Sequence, residues 1–341
     1  MKITIDNHTI DVEPGTTILQ AARMIGGESV PPAMCYYTKL KTSGGYCRTC
    51  LVEVSKGSEA DPRPMPKLVP SCRTTVMDGM EVKNKTSERV LGARKGIVEM
   101  LLVNHPLDCP ICDQAGECDL QNLAFEHGVA QTRSEESRRT FEPIDIGDKV
   151  KLHMNRCILC YRCVKVADQL TNDRVHGVIN RGDHAEISTF IENVLDSDFY
   201  GNVIDVCPVG ALTDKTFRFQ SRVWFTKPFH AHRNCTKCSG KVTLLTKGEE
   251  VLRVSARKDQ FHEVEDFICN ECRFEKKNIN DWIIDEVAVF EKDSVMNVNR
   301  TFKENKTINY TDEDKTLFKG RNQLEFKLES LKQLDQKVKE H

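Results

Sequence analysis

The sequence has no run of about 18 consecutive apolar residues, which excludes a transmembrane helix. Its acidic and basic side chains nearly cancel, leaving a net charge of −2, so the overall balance does not mark a nucleic-acid or membrane-surface binder. No basic-then-apolar export pattern opens the chain, and Met1 to Val12 alternates as two short strands instead. The expectation is a soluble protein of a reducing cytoplasm. No G-x-G-x-x-G opens a helix, no P-loop is present and no repeat of fixed period is visible. Hydride acceptance from a dinucleotide therefore has no seat on this chain.

What the 341 residues do contain is 15 cysteines. An odd count without an export signal argues against a disulfide framework, and clustered thiols in a reducing compartment usually mean metal. They fall into four groups. Cys35, Cys47, Cys50 and Cys72 place two thiolates in one tight Cys-Arg-Thr-Cys loop, with Gly44-Gly45 before it allowing close backbone approach. Four such ligands satisfy a [2Fe–2S] cluster, and an isolated zinc ion accepts the same set. The 11 residues between Cys35 and Cys47 exceed the plant-type ferredoxin spacing, which sets a simple ferredoxin aside.

The second group is Cys109, Cys112 and Cys118, one thiolate short of a [4Fe–4S] cluster. His105, four residues before Cys109, is the nearest candidate for the missing ligand; the bland alternative is a surface histidine or helix cap. The third group, Cys157-x2-Cys160-x2-Cys163 with a remote Cys207-Pro208, has the bacterial ferredoxin pattern of a [4Fe–4S] site. Arg156, Arg162 and Lys165 around it either tune the site or are ordinary solvated charges. The fourth group, Cys235, Cys238, Cys269 and Cys272, is a pair of Cys-x2-Cys knuckles with 30 residues between them. Such a pair is a zinc ribbon more often than a cluster site. The four groups use every cysteine.

The expected fold class is α+β. Residues 1–85 read as a small domain: strands through Ile3–Ile5 and Ile10–Val12 around an Asp6-Asn7 turn, then a helix capped by Thr16 or Thr17 with Ile18, Ala22 and Ile25 on one face. Further strands are expected at Leu51–Val54 and Met80–Val82, separated by an irregular loop rich in proline (Pro62, Pro64, Pro66, Pro70). A helix over 88–103 starts at Ser87, carries an apolar stripe of Val90, Leu91, Ile97, Val98, Leu101 and Leu102, and is stopped by Pro106. It belongs to a helical domain over 86–142. A ferredoxin-like domain over 143–230 follows, then a β-rich module over 231–286 whose strands Val242–Leu245 and Val251–Val254 flank a Gly248 turn. The charged tail, 287–341, places Leu324, Leu328, Leu331 and Val338 at near-helical spacing, as in a docking helix or a solvated one.

The order of motifs, a ferredoxin-like cysteine set, then His-x3-Cys-x2-Cys-x5-Cys, then Cys-x2-Cys-x2-Cys with a remote Cys-Pro, closely resembles the G subunit of bacterial NADH:quinone oxidoreductase, respiratory complex I. Asn104–Gln121 and Arg156–Val164 carry the most specific similarity, which covers about residues 1–285. The resemblance implies one [2Fe–2S] cluster on the first group and two [4Fe–4S] clusters on the second and third, with His105 as a ligand. It implies electrons passed from a flavin/NADH-binding subunit toward quinone-side subunits, at the cytoplasmic face of the bacterial inner membrane, with no direct insertion and no nucleic-acid partner. The β-grasp form of the 1–85 domain follows from the same likeness. Two departures stand out. Most relatives continue into a large domain similar to molybdopterin oxidoreductases, whereas this sequence ends first. Many also bind a further cluster through Cys-x2-Cys-x3-Cys, and here Val242 takes the third position, leaving zinc or [4Fe–4S] open for the fourth group. The diaphorase subunit of a soluble NAD-reducing hydrogenase or formate dehydrogenase shares the first three motifs. A redox-inert zinc scaffold is the alternative of another class.

Overall fold

The computed structural model describes residues 1–128, 132–135, 137–172, 176–189, 195 and 197–287. The docking helix expected in the tail lies outside them. Two compact units emerge, one of Met1–Pro106, Leu123–Phe141 and Met154–Leu170, the other of Leu107–Asn122, Glu142–His153 and the described residues from Thr171 on. Both mix helix and sheet. All 15 cysteines are free thiols.

In the first unit, β1 (Lys2–Ile5) and β2 (His8–Asp11) form a hairpin around Asp6-Asn7, both in the left-handed region at φ 43° and 75°. Asn and Asp reach that region more readily than other side chains, which is why this pair can turn the chain. Strands β3 (Leu51–Lys56), β4 (Val69–Pro70) and β5 (Met80–Lys83) complete a sheet in the order β2-β1-β5-β3-β4, with β1 and β5 parallel. Alternation sends Ile3, Ile5, Val52, Val54, Met80 and Val82 into one core. Helix α1 (Ile18–Ile25) covers that face, started by a capping box in which Thr17 and Gln20 satisfy each other's amides. Pro70 departs from the expected loop. It sits in a two-residue edge strand, where the amide that proline lacks is least missed.

Helix α2 (Glu88–Val103) begins at Ser87, whose hydroxyl accepts from the Val90 amide, and Pro106 follows its end. Its buried face differs from the apolar stripe. Val90, Arg94, Val98 and Glu99 are buried, Leu91 is exposed, and Ile97, Leu101 and Leu102 are only half-buried. Arg94 is drawn in because the carbonyl of Thr49 and the side chain of Asn84, at 3.3 and 2.6 Å, accept from its guanidinium. Helices α3 (Asp119–His127) and α4 (Arg162–Val166) are short.

Among its described residues the second unit holds three sheets. Strands β6 (Ile144–Gly147), β7 (Val150–Leu152) and, later, β10 (Leu212–Asp214) pair antiparallel, and β8 (His176–Ile179) with β9 (Glu186–Thr189) makes a hairpin. Helix α5 (Asn202–Val206) ends at Cys207. The largest sheet runs β13-β12-β11-β14, from β11 (Lys227–His232), β12 (Lys241–Lys247), β13 (Glu250–Ala256) and β14 (Ile283–Val287). The expected hairpin is there, with Gly248 at φ 64° in its turn.

His176 gives this unit an acid sensitivity. Its side chain is buried, neither ring nitrogen has a partner among the described residues, and burial pushes its pKa down to about 4. The unfolded chain, with a histidine pKa of about 6.5, takes up the proton first as pH falls. The stability contributed is thus complete above about pH 6.5 and lost progressively toward pH 4. Between pH 7.5 and 5.5 the loss from this group is about 1 kcal/mol. Urea midpoints of wild type and His176→Phe should show it: the variant is expected to have a flatter pH dependence over that range, and an unchanged slope would refute the assignment.

Candidate metal centres

The first cysteine group comes together within the first unit. Cys47 and Cys50 lie in the loop entering β3, Cys72 follows β4, Cys35 precedes them, and all four are buried. Arg48 between the loop cysteines is left-handed at φ 61°, a conformation that costs a non-glycine residue about 1–2 kcal/mol and is held by the surrounding structure. A Cβ on Gly44 would lie 1.9 Å from the Tyr46 ring, so a side chain there would displace that ring. Ser43 donates to Cys72 Sγ at 3.0 Å, and Thr49 Oγ1 lies 3.1 Å from Cys47 Sγ. The Cys35 thiol and burial push Cys47 well above the usual thiol range. Cys72 is drawn down by Cys35, but Cys50 and burial outweigh that and push it up to about 11. Cys50 shifts the other way, lowered by its bond to Cys72. Four dry thiols competing for each other's protons are a donor set that a cation would deprotonate. Arg94 passes beneath this loop, and sequence reasoning missed it. The available signal was a lone cation on the Val90–Val98 face of α2.

The first unit also holds Cys157, Cys160 and Cys163. Leu159 and Tyr161, between them, are both left-handed at φ 52° and 60°, so the loop is wound tightly around the sulfurs. The Leu159 amide donates to Cys157 Sγ at 3.3 Å. Of the flanking cations, Arg156 and Arg162 are 3% exposed, which overturns the solvated alternative for both. Arg162 Nη1 donates to the carbonyl of Met34, beside Cys35, at 3.4 Å, while its Nε and Nη2 have no partner among the described residues. A buried cation with orphaned donors suits an anionic centre. Lys165 donates to Thr42 at 3.1 Å and lies over Tyr46. Through these side chains the first and third cysteine loops pack on each other.

In the second unit, Cys207 ends α5, and Cys109, Cys112 and Cys118 line one compact loop. Arg222 clamps that loop, donating to the carbonyls of Cys112 at 2.7 Å and Cys109 at 3.4 Å, and Arg253 pairs with Glu117 at 2.7 Å. Neither arginine was singled out from the sequence, because each acts from over 100 positions away. Burial raises the Cys118 thiol far above its usual range. The Asp119 amide donates to Pro208 O at 3.2 Å, which places the residue after Cys118 against the residue after Cys207. His105 belongs to the first unit, half-buried past the end of α2, with its amide donating to Leu102 O at 3.2 Å.

The fourth group is the tightest. Cys235 and Cys238 lie between β11 and β12, while Cys269 and Cys272 flank and enter a wide turn at Glu271–Glu275, and all four sulfurs lie within 4.8 Å of one another. Cys235 and Cys269 are 3.8 Å apart, Cys238 and Cys272 3.6 Å. The amides of Lys237 and Gly240 each donate to the sulfur two residues back at 3.4 Å. Gly240, at φ 67°, has no room for a side chain, since a Cβ would meet Arg233 O at 2.0 Å. Burial opposes ionisation of Cys235, yet the Lys237 and Cys238 amides and Arg233 bring it down to about 6; burial and the neighbouring thiols raise Cys272 steeply.

Comparison with known proteins adds names to these sites. Residues 1–87 match the 2Fe-2S iron-sulfur cluster binding domain, 94–133 the NADH-ubiquinone oxidoreductase-G iron-sulfur binding region, and 147–213 the NADH-quinone oxidoreductase subunit 3, ferredoxin-like domain. The NADH-quinone oxidoreductase G subunit of Rickettsia bellii is 41% identical over 257 residues, covering 75% of this chain and 36% of that one. The NADH-ubiquinone oxidoreductase 75 kDa subunit of Reclinomonas americana is 40% identical over 291 residues, 84% of this chain and 40% of that one. The chain thus spans well under half the length of these relatives. Among solved structures, an NAD+-reducing [NiFe]-hydrogenase in the H2-reduced state is similar at a TM-score of 0.56 and 27% identity, covering 65% of this chain and 90% of that one.

Proposed function

Because this chain belongs to the family of the NADH-quinone oxidoreductase G subunit and the 75 kDa subunit, we propose that it is the iron–sulfur electron relay of an NADH:quinone oxidoreductase. Cys35, Cys47, Cys50 and Cys72 would hold a [2Fe–2S] cluster. His105, Cys109, Cys112 and Cys118 would hold one [4Fe–4S] cluster, and Cys157, Cys160, Cys163 and Cys207 another. When bound, these clusters supply reversible one-electron steps. The protein's own part is to hold them in fixed order, exclude water and set the local charge. The observation that carries the reading is the packing of neighbouring cysteine loops. Arg162 bonds the loop of the third group to the residue beside Cys35, and the residue after Cys118 bonds the residue after Cys207. Each unit thus brings one pair of cysteine segments into contact.

The finer architecture follows the same proposal: a β-grasp [2Fe–2S] domain over 1–85, a domain of one histidine and three cysteine ligands over 86–142, a bacterial-ferredoxin-like domain over 143–230 and a small four-cysteine module over 231–286. The partners would be a flavin/NADH-binding subunit on one side and quinone-side subunits on the other. No helix among the described residues is long and apolar enough to cross a membrane. By its likeness to the G-subunit relatives, the chain would sit peripherally, at the cytoplasmic face of a bacterial inner membrane.

Anaerobically purified protein should contain about ten irons in these three sites, two, four and four, and show three reducible centres in a potentiometric titration followed by electron paramagnetic resonance. A reproducible content near four irons would contradict the relay. The likeness to a NAD+-reducing hydrogenase favours a second reading, a diaphorase subunit of a soluble enzyme. The higher identity to the G-subunit and 75 kDa relatives favours the first. Co-purification with membrane subunits, or with a soluble nickel enzyme, separates them.

A further inference from the structure

We propose that Cys235, Cys238, Cys269 and Cys272 hold one tetrahedral zinc ion that carries no electrons and fastens the β11–β14 sheet to the helix presenting Cys207. The inference is independent of the relay reading. A Zn–S bond of about 2.3 Å sets tetrahedral sulfurs about 3.8 Å apart. The sulfurs here are 3.8 and 3.6 Å apart across the two knuckles, and none of the four is further than 4.8 Å from another. In a four-iron cluster each thiolate binds its own iron, so the sulfurs stand apart by the added width of the cluster. Among the described residues no other group of three or more such ligands is drawn in so tightly, the [2Fe–2S] candidates included.

The surroundings agree with one closed ion. Two amide-to-sulfur bonds, from Lys237 and Gly240, fix the first knuckle around its metal position, and Gly240 admits no Cβ. Four thiolates fill a tetrahedral shell and leave no position for water or substrate, as in structural zinc sites. Arg233 and Lys237 stand beside a centre that would carry net charge −2, paired with Glu271 at 3.0 Å and Asp198 at 3.2 Å.

The second knuckle leads to α5. Asn202 accepts from the Ile268 amide at 3.1 Å and donates to Ile268 O at 2.8 Å, and Asn270 donates to Ser197 O at 2.8 Å. The buried Asp205 carboxylate binds Arg273, the residue after Cys272, and accepts from the β13 residue Ala256 at 2.9 Å. Gly201 is hemmed in by the same Arg273, whose Cδ would lie 2.6 Å from a Cβ. The zinc therefore stands at the root of the helix that ends on Cys207.

Metal analysis and zinc-edge X-ray absorption on the full chain, purified anaerobically from medium supplied with both metals, test this. The expected result is one zinc per chain with four sulfurs at about 2.3 Å. Cys238→Ser should lose that zinc, keep all its iron and every reducible centre, and exchange amide hydrogens faster at 197–206 and 227–232. A zinc-free wild type with about 14 irons, or a single iron bound by four sulfurs, overturns the proposal. So does a Cys238→Ser protein that loses four irons and one reducible centre. Should that variant fail to fold, the wild-type absorption spectrum decides by itself. Zinc with four sulfurs in a chain that binds no iron would retire the relay and leave this site standing.

Discussion

Stripped of its metals, the protein should lose its cooperative unfolding transition over residues 143–275. The reason lies in how the cysteine loops are built. Leu159 and Tyr161 are held left-handed around thiols, and the Cys109–Cys118 loop and both knuckles contain no long apolar stripe of their own. Within that stretch, β7 and β10 are only three residues long and β8 and β9 four, while the longer strands β11 to β13 are joined to α5 through the second knuckle, by Ile268 and Arg273. Structural zinc in small domains contributes about 10–16 kcal/mol apparent at neutral pH. A whole domain is stable by only about 5–15 kcal/mol, so losing one such ion together with the clusters exceeds what packing can offset. Calorimetry of chelator-treated, reduced protein should show a broad, low-enthalpy transition in place of a sharp one. Hydrogen exchange should report lost protection at 107–118, 157–163 and 235–240. Strands β1, β3 and β5 should keep more of theirs, because Ile3, Val52, Val54 and Met80 form a core without metal. A sharp, unshifted melt of the metal-free protein would contradict the argument.

Local signals in the sequence carried the first sheet and its helix. Asp6-Asn7, the Thr17 cap and the alternation of Ile3 and Ile5 each act within a few residues, and each appears where periodicity and turn chemistry put it. The face of α2 was misread because its decisive contacts are distant. Arg94 is buried for the sake of Thr49 and Asn84, and no pattern inside 88–103 announces a carbonyl waiting 45 residues away. Short strands such as β6, β7 and β10 were missed as individual elements for a related reason. Three or four residues are too few for a period to show.

The sites divide in the same way. The Cys-x2-Cys pairs were enough to expect a closed fourth site, whose sulfur distances then suit a single ion. The supporting cations were not legible. Arg222 reaches Cys112 across 110 positions, and Arg162 reads like any solvated charge until its burial is seen. A ligand declares itself by type and spacing, while the groups that hold it in place are chosen by the fold.

His105 carries the second large prediction. Cys109, Cys112 and Cys118 are three thiolates where a four-iron cluster needs four ligands, and His105 is the nearest histidine in sequence. The first unit fixes the stretch around it. Arg138 donates to Val103 O at 3.3 Å, and the Arg139 amide donates to the Asn104 side chain at 3.3 Å, so the exit of α2 is held from outside. Imidazole is neutral where thiolate is anionic, so a histidine ligand leaves a cluster less negative and easier to reduce. His105→Cys should therefore keep four irons in this site and lower its potential, by on the order of 100 mV judged from the effect of imidazole ligands in Rieske centres. Under the proposed ligation, His105→Ala would leave one iron without a protein ligand, and the expected result is a labile site or a three-iron form with an altered resonance signal. Potentiometric titration of both variants, with iron counted in each, separates ligation from mere placement: a histidine that only caps the helix would alter stability without moving a potential. If His105→Ala retains every iron and every wild-type potential, the fourth ligand of that cluster must be sought elsewhere.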